Sequence, residues 1–285
     1  MKSRLCFLSL LLLVFKAQSV PLDEVVLWER NYERPEFREL VIRALEKTIP
    51  EYGNYSLKSS LPMEQGTAFA NLARGARLNV AIAGTTPERE AALATIFIPV
   101  DKGLLGFRLC LVKQQNREAF ANITSLMDFH KSGHVIGVGT HWPDRHIIES
   151  NGLKTMHSEF LDNLFNMMEF DRFSCFLRSV NEIEAEILAN QHRGYIDEQH
   201  IAMLYPAADF VFVSKQHSRI KARIEQGILI SIEDGDFDRH FERYYANALR
   251  RFNFFNRKML FLTNPDISPE AKAAINFYGL ASFAG

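Results

Sequence analysis

The sequence predicts an α/β fold in two lobes, each a mostly parallel sheet flanked by helices, with two crossing strands between them. Three observations carry that expectation. Short β-rich runs alternate with amphipathic helical periods over residues 24–83, the β-α-β-α-β order of a parallel sheet covered by helices. The same alternation restarts near His134. A further strand at 209–213 is then followed by two long helical periods, so the chain returns toward its beginning.

Residues 24–29 (EVVLWE) read as the first strand. Pro35 opens a helix in which Phe37, Leu40, Val41, Ala44, Leu45 and Ile49 recur with a 3.6-residue period. Residues 55–57 make a short strand, 64–73 a helix and 79–83 a third strand. The turn Gly84-Thr85-Thr86-Pro87-Glu88-Arg89 is a helix start, with threonine at the cap, proline just inside and glutamate in the first turn. Its arginine stands beside amide N–H groups that lack partners within the helix. A guanidinium there can hold a carboxylate in two-point geometry. Residues 106–112 alternate as a strand.

In the second block, 134–139 is a short apolar strand ending in glycine, and Pro143 starts a helix that Asn151-Gly152 ends. Residues 159–169 are helical, 173–176 strand-like and 181–190 helical again. After strand 209–213 come helices 220–232 and 237–255, joined by Glu233-Asp234-Gly235-Asp236 with Asp236 as cap. Crossings near 109–113 and 212–215 would divide the chain into a discontinuous first lobe, 20–110 with 214–285, and a second lobe, 111–213.

Residues 1–19 read as a cleaved secretory signal: Lys2 and Arg4, an apolar run over 5–15, and Ala17-Gln18-Ser19 before a cut at Val20. That run is too short to span a membrane, Cys6 lies too early for a lipoprotein site, and no other uninterrupted apolar run has membrane length. An exported, periplasmic protein without stable membrane insertion is expected. The signal holds three of the 33 basic residues and none of the 34 acidic ones, leaving 30 against 34, or −4. Nucleic acid is thereby disfavoured as a partner, because it leaves a basic footprint. Cys110 and Cys175 lie in separate apolar segments and are expected to be buried free thiols.

The stretch 79–112 resembles the periplasmic solute-binding proteins of family 3, whose type II periplasmic-binding fold serves the capture of polar amino acids. Their first lobe carries a Thr-x-x-Arg turn shortly before an FS-x-P-Y piece. Thr86-Pro87-Glu88-Arg89 and Phe97-Ile98-Pro99 stand in those places, without the serine and the last aromatic. Ser125-Leu126-Met127-Asp128-Phe129 with Val135-Ile136-Gly137-Val138 resembles the start of the second lobe. Gly139-Thr140-His141-Trp142-Pro143-Asp144 replaces the K-S-G-T loop that takes a ligand carboxylate. Ile224-Glu225-Gln226-Gly227-Ile228 with Glu233-Asp234-Gly235-Asp236-Phe237 resembles a late helix pair. Arg178-Ser179-Val180-Asn181-Glu182-Ile183 and Phe261-Leu262-Thr263-Asn264-Pro265 are similar to elements of divergent relatives. The Y-P-P-F loop is absent, and Tyr195-Ile196-Asp197 is only a partial stand-in for the D-A…D pair that clasps an α-ammonium.

The resemblance implies a monomeric binding protein without cofactor, holding a small anionic or zwitterionic, amino-acid-like ligand between its lobes for an ABC transporter or a sensor. Arg89, Thr85, Thr86 and Trp28 would serve from the first lobe, and Thr140, Trp142 and Arg178 from the second. Two other readings use the same scaffold: a lyase or dehydratase with Glu182 as general acid or base, and an accessory protein whose cleft binds nothing. His130, His134, His141 and His146 lack the Cys or paired carboxylates that would complete a metal site. Glu233-Asp234-Gly235-Asp236 lacks the ladder of a calcium loop, and no nucleophile elbow, phosphate loop or dinucleotide fingerprint occurs.

Overall fold

A computed structural model describes residues 22–280, so the expected signal at 1–19 lies outside the described residues. Among the described residues twelve strands form two sheets. They are β1 Asp23–Leu27, β2 Tyr55–Ser59, β3 Val80–Gly84, β4 Ala94–Ile96, β5 Phe107–Lys113, β6 Val135–Gly139, β7 Lys154–Ser158, β8 Cys175–Ser179, β9 Tyr195–Asp197, β10 Ile201–Leu204, β11 Asp209–Val213 and β12 Lys258–Phe261. The first sheet runs β2-β1-β3-β11-β4; the second runs β12-β10-β5-β8-β6-β7, with β9 also against β5.

The β-α-β-α-β order produces the parallel set β2-β1-β3, and strands β3 and β11 inside the sheet are buried throughout. The expected helix at Pro35 spans Pro35–Lys47 and packs its periodic face, Phe37, Leu40, Val41, Ala44 and Leu45, with Ile220, Ile224 and Ile228 of the helix Ser218–Glu233. The two helices approach so closely that a Cβ on Gly227 would lie 2.0 Å from the Ala44 carbonyl oxygen. β11 then lies antiparallel to β3 and β4, which makes the first sheet mixed.

The chain passes from the first sheet to the second over 97–106 and returns over 205–208, ahead of the positions expected from sequence. The reason is chemical: the apolar runs 107–113 and 209–213 are needed whole as buried strands, so Pro99, Asp101, Gly103, Gly106 and Pro206 make the passages instead. The stretch 214–285, expected to lie in the first lobe throughout, is split. Phe241, Tyr245, Phe252 and Phe254 pack in the second sheet's core and β12 joins that sheet beside β10, while the last helix, Pro269–Tyr278, packs Ala271, Ala274 and Ile275 among Phe210, Phe212 and Leu72 beneath the first.

Three further expectations are corrected. The helix over 237–255 is broken into Asp236–Tyr244, Ala248–Arg251 and a 3-10 turn at Phe254–Asn256; Asn253 takes the left-handed conformation (φ 49°) that stops a helix. The strand expected over 173–176 runs instead over Cys175–Ser179, so Arg178 and Ser179 belong to β8. Cys110 and Cys175 are bonded, not free. Cys110 pairs with Leu177 across β5 and β8, so Cys175, two residues away on the same face, is its diagonal neighbour.

Candidate functional site

A cleft of about 450 Å³ lies between the two sheets. From the first sheet's side it is lined by Trp28, Arg34, Gln65, Gly84 and Asp209, and from the second by Arg108, Trp142, Asp144, Arg178 and Glu182. Its residues stand at the ends of strands and the starts of helices: Trp28 just past β1, Gly84 ending β3, Asp209 opening β11, Trp142 capping the helix Pro143–Ser150. Open α/β sheets place ligands at such rims because side chains of several elements converge where the backbone turns away.

Glu182 is the electrostatic centre. Its carboxylate accepts a bond from Arg34 Nη1 (3.3 Å) and lies 3.3 Å from Arg178 Nη2 and 3.7 Å from Arg108 Nη1. Burial would raise this carboxyl, but the guanidinium of Arg178, followed by those of Arg34 and Arg108, outweighs burial and holds it at about 2. Arg34 comes from the first sheet's side, so its bond to Glu182 ties the two halves together. Each arginine has a second acid: Arg34 Nε bonds Glu36 (2.6 Å), Arg178 grips Glu186 through Nε and Nη2 (2.7 and 2.6 Å), and Arg108 pairs with Asp144. Arg178 also lies over the Trp142 ring at 4.4 Å, a favourable cation–π geometry.

The depressed carboxyl sets an acid limb. Glu182 contributes stability that is present above its unfolded value of 4.5 and lost as pH falls toward about 2. Urea titrations of wild type and Glu182→Gln should therefore differ at pH 5 and converge near pH 2. Asp101 acts in the opposite sense. Burial raises it to about 6 against bonds from the Gly103, Leu105 and Asp209 N–H groups, so its contribution is full below 3.8 and falls away as pH rises through about 6.

Of the residues singled out in the sequence, Trp28, Trp142 and Arg178 line the cleft together. Trp28 also donates from Nε1 to the Met63 carbonyl (3.1 Å) and meets Phe69 edge-on, so only part of its ring serves the wall. Trp142 lies flat against Phe176, over the place a Cβ on Gly139 would fill. Arg89 is 8 % exposed and does not line the cleft. Its Nη2 donates to Gln65 Oε1 (3.0 Å) and, across the gap, to the His141 carbonyl (2.9 Å), and its Nη1 donates to the Gly84 carbonyl. Phe69 lies 4.2 Å beneath it, and burial draws the guanidinium down to about 10.

Thr86 caps the helix Pro87–Ala92 by accepting from the Arg89 N–H (3.2 Å), and Thr85 donates to Glu90 (2.6 Å). Thr140 meets His157 (3.1 Å) beside a crevice of about 10 Å³ next to the cleft. The structure adds Arg34, Arg108, Asp144 and Asp209. A signal for two of them exists in the sequence: Arg108 is a lone cation inside the apolar run 107–112, and Asp209 a lone acid before Phe210-Val211-Phe212-Val213. Among the described residues no group of three or more His, Cys, Asp or Glu could hold a metal ion, and no helix is long and apolar enough to cross a membrane.

Neither a protein-family model nor a curated protein matches the sequence. Solved structures do match the fold. An ancestral arginine-binding protein bound to arginine aligns over 80 % of this chain and 100 % of its own, with a TM-score of 0.58 and 18 % identity. The substrate-binding protein of an amino-acid ABC transporter from Streptococcus pneumoniae, bound to L-arginine, covers 79 % and 95 % at a TM-score of 0.57 and 12 % identity. A periplasmic binding protein of Salmonella typhimurium with high arginine specificity covers 78 % and 99 % at 0.57 and 12 %. The chain thus has the two-lobe α/β fold of the substrate-binding proteins of amino-acid ABC transporters.

Proposed function

We propose that the protein captures a small charged solute in the cleft between its two sheets and presents it to an inner-membrane transporter or a sensor. The observation that carries this reading is the cleft itself, about 450 Å³ and lined from both sides by aromatic and charged groups. A ligand touching both halves favours their closed arrangement by its contacts to each, and the passages at 97–106 and 205–208 are the natural hinge. The structural neighbours that hold arginine support the reading. The buried Cys110–Cys175 disulfide supports export, since such bonds persist in oxidising compartments. Trp28, Trp142 and Arg178 are the binding residues of this reading. Arg89, expected to clamp a carboxylate, serves in it as a tie between the halves through His141.

Native mass spectrometry of protein purified from the periplasm should reveal a co-purifying small molecule. Ala185 lines the cleft from an exposed position on the helix Ile183–Ala189. Ala185→Trp should therefore abolish that bound mass while changing stability by no more than about 0.5 kcal/mol, as surface substitutions usually do. A bound mass that persists in Ala185→Trp would place the ligand elsewhere.

The accessory reading has one observation of its own, the Arg34–Glu182 pair that closes the gap with the protein's own side chains. Purified protein free of any solute would favour it. The enzyme reading is weakened. A carboxylate held at about 2 among three guanidiniums is a poor general base at neutral pH.

A further inference from the structure

We propose that the cleft takes a small organic cation that carries no carboxylate, an alkylamine or alkylguanidine, with the Asp209 carboxyl receiving its charged end. This rests on the solute-binding reading and names its ligand class. Among the described residues, Asp209 is the buried lining acid without an ion pair: no hydrogen bond or ion pair ends on its carboxyl, although the residue is 6 % exposed and opens onto the cleft, whereas Glu33, the other lining acid without an ion pair, is exposed to solvent. A buried carboxyl facing such a space is an acceptor in want of a cation.

The arginines of the cleft do not offer the reverse. Arg34, Arg108 and Arg178 each already face two carboxylates, and Arg30 is paired with Glu64 at 2.6 Å. Arg89, the guanidinium placed to take a carboxylate, is turned to the oxygens of Gly84, Gln65 and His141. Among the fully buried side-chain donors of the lining residues, Arg108 Nε and Asn181 Nδ2 lack partners, and both atoms are sealed from solvent. A carboxylate entering this site would meet Asp144, Glu182, Glu186 and Asp209 without a free cation to receive it. A cation would meet Asp209.

The surroundings of Asp209 add a second signature. Burial, then Asp101 and Glu182, raise its carboxyl well above the ordinary range, while Arg34 and Arg108 pull the other way. An incoming cation opposes that shift by favouring the ionised carboxylate, so affinity for it rises with pH.

Calorimetry on the purified mature chain with agmatine, L-arginine and L-glutamate tests this, since agmatine and arginine differ by the carboxylate. Agmatine should bind at least tenfold tighter than L-arginine. Its affinity should rise with pH across the acid-to-neutral range, and Asp209→Asn, an isosteric change that leaves its backbone bond to Asp101 in place, should weaken binding at least tenfold. Equal or tighter binding of L-arginine or L-glutamate overturns the ligand class, as does an agmatine affinity that falls as pH rises to neutral, readouts that need no variant. If none of the three binds, the class is overturned, and native mass spectrometry decides the rest: a bound solute leaves solute capture standing, and a solute-free protein removes it as well.

Discussion

Replacing Arg223 by methionine should lower stability by about 4 kcal/mol, within the range of 3–5 kcal/mol seen when one partner of a buried ion pair is removed. Arg223 is fully buried in the helix Ser218–Glu233, yet all five of its hydrogen bonds go to partners 169 to 200 residues earlier. Nη1 donates to Asp23 Oδ2 at 2.8 Å, Nη2 to the carbonyls of Gly53 (2.7 Å) and Leu45 (3.1 Å), and Nε to Thr48 Oγ1 (3.2 Å). Methionine would fill most of the same space. The loss would come from carbonyls left without donors and from Asp23 left with Arg219 alone, at 3.0 Å. Urea unfolding followed by circular dichroism measures the effect, and a change under 1 kcal/mol would show that water reaches these groups. The position matters for the cleft because this one side chain ties the helix Ser218–Glu233 to β1, whose end carries Trp28.

The disulfide should be worth a similar amount. Closing a loop of 65 residues restricts the unfolded chain by about 4 kcal/mol at room temperature on the chain-entropy account. Cys110→Ala with Cys175→Ala should lower stability by about that much in urea, and a reducing agent should do the same once the chain is unfolded. The loop encloses β6 and β7, so its release frees the edge half of the second sheet. It also joins β5 to β8, the strands that carry Arg108 and Arg178, and solute affinity should fall with stability. Unchanged stability in the double variant would mean that the reduced, unfolded chain already holds these strands near one another.

The sequence shows most of what is local. The helix from Pro35, the cap at Thr86 and the strand 135–139 were all legible, because their periodicity and capping chemistry lie within one or two turns of chain. Trp28, Trp142 and Arg178 were legible as cleft residues through the resemblance to two-lobe binding proteins, which places them on either side of a cleft. Arg89 was legible as a helix-start guanidinium but not in its partners, since the His141 carbonyl lies 52 residues away. Asp209 was passed over as the first residue of an apolar strand. Only the arrival of 101–106 and 205–208 side by side places it at the cleft with Asp101 behind it.

By itself, then, the order of residues determined the strand-and-helix alternation, the two-lobe plan, and that charged and aromatic groups gather at the ends of its elements. Tertiary structure decided which of those groups meet. It bonded two cysteines expected to be free, turned Arg89 toward backbone oxygens, placed three guanidiniums on Glu182 and left Asp209 unpaired. The physical reason is range: periodicity and capping act over a few residues, whereas burial, strand register and charge pairing depend on segments brought together from across the whole chain.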